Sequence, residues 1–170
     1  MEQKRTTAAD SFQAAFFALI SNPAKFRLYL LKNLPAAFFS GLSIREVDTE
    51  HCSVIVPFKW FTRNPFRSTY FACMSMAAEM STGILAMGHI YNRKPAISML
   101  VTSVHGDFYK KATAKTLFIC NEGSRIRETI ERAIALKVPQ TIEVTSSGYN
   151  EQNELIATFK ITWSFKERNT

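Results

Sequence analysis

Several function classes are excluded by what this chain does not contain. Its three cysteines, Cys52, Cys73 and Cys120, are odd in number and far apart in sequence, which fits neither a disulfide framework nor a paired metal motif. They read as reduced thiols. The segment Met1–Ala24 offers only the short apolar run Ala14–Ile20 preceded by Asp10, so no secretory signal is expected. No stretch approaches the roughly 18 apolar residues needed to cross a bilayer, and the expectation is a cytoplasmic protein without a membrane partner. There is no glycine-rich phosphate loop, no nucleophile elbow, no Ser-His-Asp pattern and no HExxH. The three histidines are placed singly: His51 beside a turn, His89 after a helix and His105 at a strand end. Each reads as structural or exposed, and neither a metal nor a cofactor is expected. Internal repeats and low-complexity segments are also missing.

What is present describes a globular chain. An apolar fraction of 46% with 21% charged residues allows burial to offset chain entropy without staples, and the length suits a single domain over residues 1–170. Fourteen Phe residues suit a thick core or a greasy ligand tunnel. The formal charge of +7 is scattered in small pairs (Lys4-Arg5, Arg63 and Arg67, Arg93-Lys94, Lys110-Lys111). Without a basic stripe or an RRM, KH or zinc-finger pattern, nucleic acid is not the expected partner. A phosphorylated carrier such as the nucleotide of coenzyme A is compatible with the small clusters.

Hydrophobic periodicity orders the elements. From Ala9 to Lys32 apolar residues recur at helical spacing, interrupted at Ser21-Asn22-Pro23, which predicts two short helices with Ser21 or Asn22 capping the second and Pro23 in its first turn. They either pack on the domain or form an amphipathic membrane anchor; packing is the expectation. Period-two alternation between Ser40 and Phe58 predicts two strands joined by the turn Asp48-Thr49-Glu50. Trp60–Arg67 reads as a loop, and Ser68–Gly88 as the longest helix, closed by its glycine. Strands are expected over Ile97–Val104, Thr113–Cys120, Gln140–Ser146 and Leu155–Phe165. A helix capped by Ser124 is expected to run to Ala135, and Ser147–Asn153 reads as a hairpin loop.

On the long helix, Ala72, Ser75 or Met76, Glu79 and Gly83 share a stripe of small residues, so another surface can approach closely there. Glu79 is costly in such a place unless something polar or reactive accompanies it. It either serves chemistry, faces water, or pairs with an Arg. Met74, Met76, Met80 and Met87 either line an adaptable acyl tunnel or fill core.

The segment Asn64-Pro65-Phe66-Arg67-Ser68-Thr69-Tyr70-Phe71-Ala72, followed by Ala77-Ala78-Glu79 and Gly83, resembles the PaaI-like hotdog thioesterases. In these an Asn precedes the helix and an acidic residue follows fifteen positions later, the separation of Asn64 and Glu79. The Ser-Thr-Tyr opening followed by Ala-Ala-Glu is similar to a little-characterised branch of these domains. The resemblance implies an α+β hotdog fold, a curved antiparallel sheet wrapped around one long helix, with the core over 38–165 and a helical extension over 1–36. It further implies an acyl-thioester hydrolase acting on acyl-CoA or acyl carrier protein substrates. Glu79 would attack the thioester carbonyl or activate water, the Phe71 backbone amide would hold the oxyanion, and Asn64 would orient water or substrate. Arg67, Ser68, Thr69 and Tyr70 would contact the substrate. Where many relatives place His-Gly-Gly, this chain has Tyr70-Phe71-Ala72, so Tyr70 can offer a hydroxyl where an open glycine amide would stand. The hotdog dehydratases use a His near the helix start, and none lies between Arg63 and Gly88.

Physical chemistry adds one constraint to that spacing. Phe71 precedes Glu79 by eight residues, about 12 Å of helical rise at roughly 1.5 Å per residue. One helix cannot bring them together, so the carboxylate of one protomer would meet the helix start of another across a two-fold axis. A homodimer is therefore expected, and further pairing of dimers stays open. The alternative reading is a hotdog domain that binds an acyl or aromatic ligand, or a protein partner, without turnover.

Overall fold

The computed structural model describes residues 8–168, which leaves the Lys4-Arg5 pair outside the described residues. Three helices come first: α1 (Ala8–Ile20), α2 (Pro23–Asn33) and α3 (Pro35–Ser40). The Asn22 side chain accepts a hydrogen bond from the Lys25 amide at 3.1 Å, so the polar break between α1 and α2 is a cap. α3 was not expected. At six residues it is too short to show periodicity, and it starts because Pro35 fits a first turn. Ser40, where the first strand was placed, is therefore its last residue.

Six strands follow: β1 (Ser43–Val47), β2 (Cys52–Val56), β3 (Ile97–Phe108), β4 (Thr116–Cys120), β5 (Gln140–Tyr149) and β6 (Leu155–Glu167). They form one antiparallel sheet in the order β1-β2-β4-β5-β6-β3. The long helix α4 (Phe71–Ile90) separates the first two strands from the rest and packs against β2, β4 and β5. A sheet wrapped around one helix is the hotdog arrangement. Cys52 and Cys120 face each other on β2 and β4 as free, buried thiols, and burial pushes Cys120 up to about 12.

Several boundaries moved for physical reasons. α4 starts at Phe71 and not at Ser68, because the Thr69 amide donates to Ala112 O at 2.7 Å and the Tyr70 amide to Thr62 O at 2.7 Å. Those amides hold the approach loop down. At the other end Gly88 does not stop the helix. It sits inside α4 where the Phe17 ring of α1 occupies the space a Cβ would need. β5 runs through the expected loop as far as Tyr149, and the turn is tightened by Asn150, whose Oδ1 accepts from the Glu154 amide at 2.8 Å. The helix α5 (Gly123–Leu136) is not capped by Ser124. Glu50, from the β1–β2 turn, accepts from both the Ser124 amide (2.8 Å) and its hydroxyl (2.6 Å). The repeat of Ile126, Ile130 and Ile134 does face inward, the first two fully buried.

The core lies between sheet and helix: Val54, Val56, Phe118, Val144, Ile161 and Phe165 from the sheet, Leu42 just before β1, and Ala77, Ala78, Leu85 and Ala86 of α4 are all fully buried. At roughly 25 cal/mol per Å² of apolar surface, such a core is the main source of stability. α4 also corrects the expectation about long apolar spans. At 20 residues, with mean hydropathy 1.2, it is long and apolar enough to cross a membrane. Its apolar character is that of a core helix, because 67% of that stretch is buried. α1 packs onto the same helix, with Phe16, Phe17 and Ile20 buried, and Phe26 and Leu30 of α2 join the same core.

Candidate functional site

The stripe along α4 is the helix's least covered side. Ala72, Ser75, Met76 and Glu79 are each partly exposed, whereas Cys73, Met74, Ala77, Ala78 and Met80 between them are buried. The sheet covers one side of the helix and these positions fall on the other, whereas Gly83, the last of the stripe, is buried beside Trp163 of β6.

Glu79 projects from this stripe into a chamber of about 70 Å³. Its other walls are Phe26, Tyr29, Leu30 and Leu34 of the N-terminal helices, Met80, Gly83, Ile84 and Met87 of α4, and Met99 of β3. Burial raises the Glu79 carboxyl above its ordinary range, because charge in an apolar cavity loses the solvation of water. Tyr29 is raised as well, first by burial and then by the negative charge of Glu79. Behind Glu79, its backbone carbonyl accepts from the Thr82 hydroxyl at 2.9 Å, and Thr82 Oγ1 accepts in turn from Trp163 Nε1 at 2.9 Å. This buried chain pins the turn that carries the carboxylate to β6.

A second and larger cavity, about 610 Å³, lies at the start of α4. Asn64, Ser68, Thr69, Tyr70 and Phe71 line it together with Met74 and with Phe108, Tyr109, Lys110, Lys111 and Ala112 from the end of β3 and the chain after it. The first amides of α4, Phe71 among them, have no acceptor within their own helix and present the positive end of its dipole. The Phe71 and Tyr70 side chains are exposed and stack edge to face, 4.9 Å between ring centres.

The expected site residues thus divide. Asn64 lines the cleft, yet its side chain is already engaged: Oδ1 accepts from the amides of Phe66 (3.0 Å) and Ser68 (3.1 Å), and Nδ2 donates to Ser68 Oγ at 3.0 Å. Thr69 is buried and its hydroxyl donates to Ala112 O at 3.2 Å. These residues shape the cleft more than they present groups to it. Tyr70 is exposed and its hydroxyl is free to turn toward the cavity. Arg67 stands in a left-handed conformation (φ 59°) in the tight 64–68 loop and does not line the cleft. Glu79 is in the other cavity altogether, about two turns along α4.

Four positions escaped sequence reasoning. Tyr29, Leu30 and Met99 come to Glu79 from distant segments, and only folding puts them there. Lys111 carried a weak signal, being part of a small basic pair; its neighbour Lys110 is held by Glu154 at 2.6 Å. The methionines separate as well: Met80 and Met87 line the Glu79 chamber, whereas Met74 lines the cleft at the helix start. Among the histidines, His89 is buried with Nδ1 2.8 Å from Gln13 Nε2, His51 pairs with Asn121 and His105 with Asp107. None of the three lines either cavity.

Solved structures share this fold at low identity. A Pseudomonas aeruginosa protein described as a probable thioesterase superposes with a TM-score of 0.72 at 17% identity, over 86% of this chain and 97% of its own. A Haemophilus influenzae thioesterase gives 0.63 at 13%, over 82% and 88%. The Escherichia coli PaaI protein of the phenylacetic acid degradation operon gives 0.59 at 12%, over 89% and 96%. The fold is therefore the hotdog fold, as the sequence resemblance implied. No curated protein matches the sequence. Residues 27–165, which hold α4 and, Phe26 apart, the lining of both cavities, match the family described as Domain of unknown function (DUF4442), and the chain belongs to that family.

Proposed function

We propose that this protein hydrolyses acyl thioesters of coenzyme A or of an acyl carrier protein at a site shared by two protomers. The observation that carries the reading is Glu79: a carboxylate on the open stripe of the central helix, held in an apolar chamber that raises its pKa. A buried carboxylate of raised pKa is a better proton acceptor near neutrality than an ordinary surface glutamate.

In the proposed step Glu79 takes a proton from water as that water's oxygen adds to the thioester carbonyl. The resulting oxyanion rests on the Phe71 amide of the other protomer, at the positive end of that helix. Collapse breaks the carbon–sulfur bond, and the departing thiolate takes the proton back from Glu79, giving a free acid and a thiol. Asn64 acts by fixing the loop that positions this amide, and Tyr70 can offer its hydroxyl to the substrate. The thiol carrier lies along the larger cleft, where the exposed Lys111 suits a phosphate.

Support for the dimer comes from β3. Among the described residues it is an edge strand, paired only with β6, and its twelve residues expose Leu100, Val104 and Phe108. A long edge with exposed apolar side chains is a natural surface for pairing with a second copy. Three buried thiols and a thioester substrate both suit a reducing cytoplasm.

The test is hydrolysis of a panel of aliphatic and aromatic acyl-CoAs by the parent protein and Glu79→Gln. A Glu79-dependent rate supports the reading; equal background rates from both proteins end it. A second reading, a hotdog domain that binds acyl groups without turnover, is favoured by the engagement of Asn64 and Thr69 in backbone hydrogen bonds. It predicts acyl-CoA binding that survives in Glu79→Gln with no hydrolysis in either protein.

A further inference from the structure

The acyl group has no assigned place in this fold, and the Glu79 chamber is the cavity that adjoins the reacting carboxylate. Given the reading above, we infer that this chamber is the acyl-group site, that helix α2 sets its depth, and that it takes short acyl groups of about two to four carbons.

Size is the first argument. A volume of about 70 Å³ is about half of the roughly 150 Å³ of a cavity that accommodates benzene, which leaves space for about three carbons. The lining is the second. Leu30, Leu34, Met80, Ile84, Met87 and Met99 are apolar, and Glu79 and Tyr29 supply the polar atoms, an arrangement that suits a carbonyl at one end of a saturated chain. Gly83 supports the same reading. A Cβ there would stand 3.0 Å from Glu79 Oε1 and 3.2 Å from the Trp163 ring, so the missing side chain is what lets the carboxylate lie close against the helix at the floor of the chamber.

The roof is firmly placed. Phe26 and Leu30 are buried in the core and α2 is capped by Asn22. Arg27 donates to Phe38 O at 3.2 Å while its guanidinium lies 3.9 Å from the centre of the Phe38 ring, which ties α2 to α3. A longer chain would have to displace packed side chains, so the limit on length is built into the N-terminal helices and not into the sheet. Met87 and Leu34, partly exposed and exposed, are the wall residues whose trimming disturbs the core least.

The experiment compares kcat/KM for acetyl-, butyryl-, octanoyl- and lauroyl-CoA with the parent protein, Met87→Ala, Leu34→Ala and Glu79→Gln. The parent is expected to favour acetyl or butyryl over octanoyl by at least about tenfold, and one or both enlarged variants to raise octanoyl relative to butyryl by a similar factor. Circular dichroism melts of both variants verify that they fold. A Glu79-dependent rate that is flat with chain length, that peaks at lauroyl, or that keeps the parent's profile in both folded variants overturns this inference and leaves the hydrolase reading standing. Hydrolysis absent, or equal in Glu79→Gln and the parent, overturns both.

Discussion

The start and the middle of α4 could hardly differ more. The start of α4 opens on a wide cleft, with exposed aromatic rings and a loop bound up in its own backbone hydrogen bonds. Two turns later Glu79 stands in a small apolar chamber roofed by α2. The first region offers oriented dipoles at almost no folding cost, because helix starts leave their amides unpaired anyway. The second keeps an ionisable group where ionisation is resisted, a cost that folding bears and chemistry can use. Electrostatic stabilisation and proton acceptance want these opposite surroundings, and placing them on one rigid helix separates them by more than a substrate carbonyl can span. Two antiparallel copies would bring each start to the other's middle.

The largest effect should come from the dry region. Glu79→Gln keeps the shape and removes the base, and a loss of about 10²- to 10⁴-fold in kcat is expected in steady-state acyl-CoA hydrolysis. Next comes the link between the two regions: Val104→Lys on the exposed β3 edge should give a folded monomer by light scattering with hydrolysis reduced to a similar degree. If it stays dimeric and active, that edge is not the shared surface.

The pH profile distinguishes the two environments more finely. Because burial raises Glu79 and the base must be ionised, kcat/KM should fall on the acid side with an apparent pKa above the ordinary glutamate range. A limb at or below that range would mean that Glu79 is solvated in the working enzyme. In the wet region, Asn64→Ala removes the oxygen that accepts from the Phe66 and Ser68 amides and should cost about 1–3 kcal/mol by urea denaturation, with rescue of neither stability nor rate by added substrate.

The smallest effect is a stability trend of opposite sign to the activity loss. Glu79 has a folded pKa above its unfolded one, so the parent is relatively most stable below the ordinary glutamate range and loses that advantage as pH rises through the raised value. Glu79→Gln should therefore melt higher than the parent at neutral pH, and the gap should close on acidification.

Much of the fold could be read along the chain. Alternation located β2, β4, β5 and β6 because one face of each is buried, and the Ile126, Ile130, Ile134 repeat oriented α5 correctly. Errors gathered where distant segments impose the outcome. Ser124 lost its capping role to Glu50, Gly88 is spanned by the helix because Phe17 needs its space, and Ser68–Tyr70 are drawn out of α4 by acceptors on Ala112 and Thr62. The site was half legible. Glu79 was conspicuous as the one acid on a greasy helix, whereas Tyr29, Leu30 and Met99 carry no local mark of nearness to it.

The sequence by itself determined the helix, the small stripe and the isolated carboxylate, since these follow from spacing along one element. Only the tertiary structure decided what that carboxylate faces. The walls of its chamber come from α2, α4 and β3, and the depth of a cavity is set by how separate elements pack and not by the periodicity of any one of them.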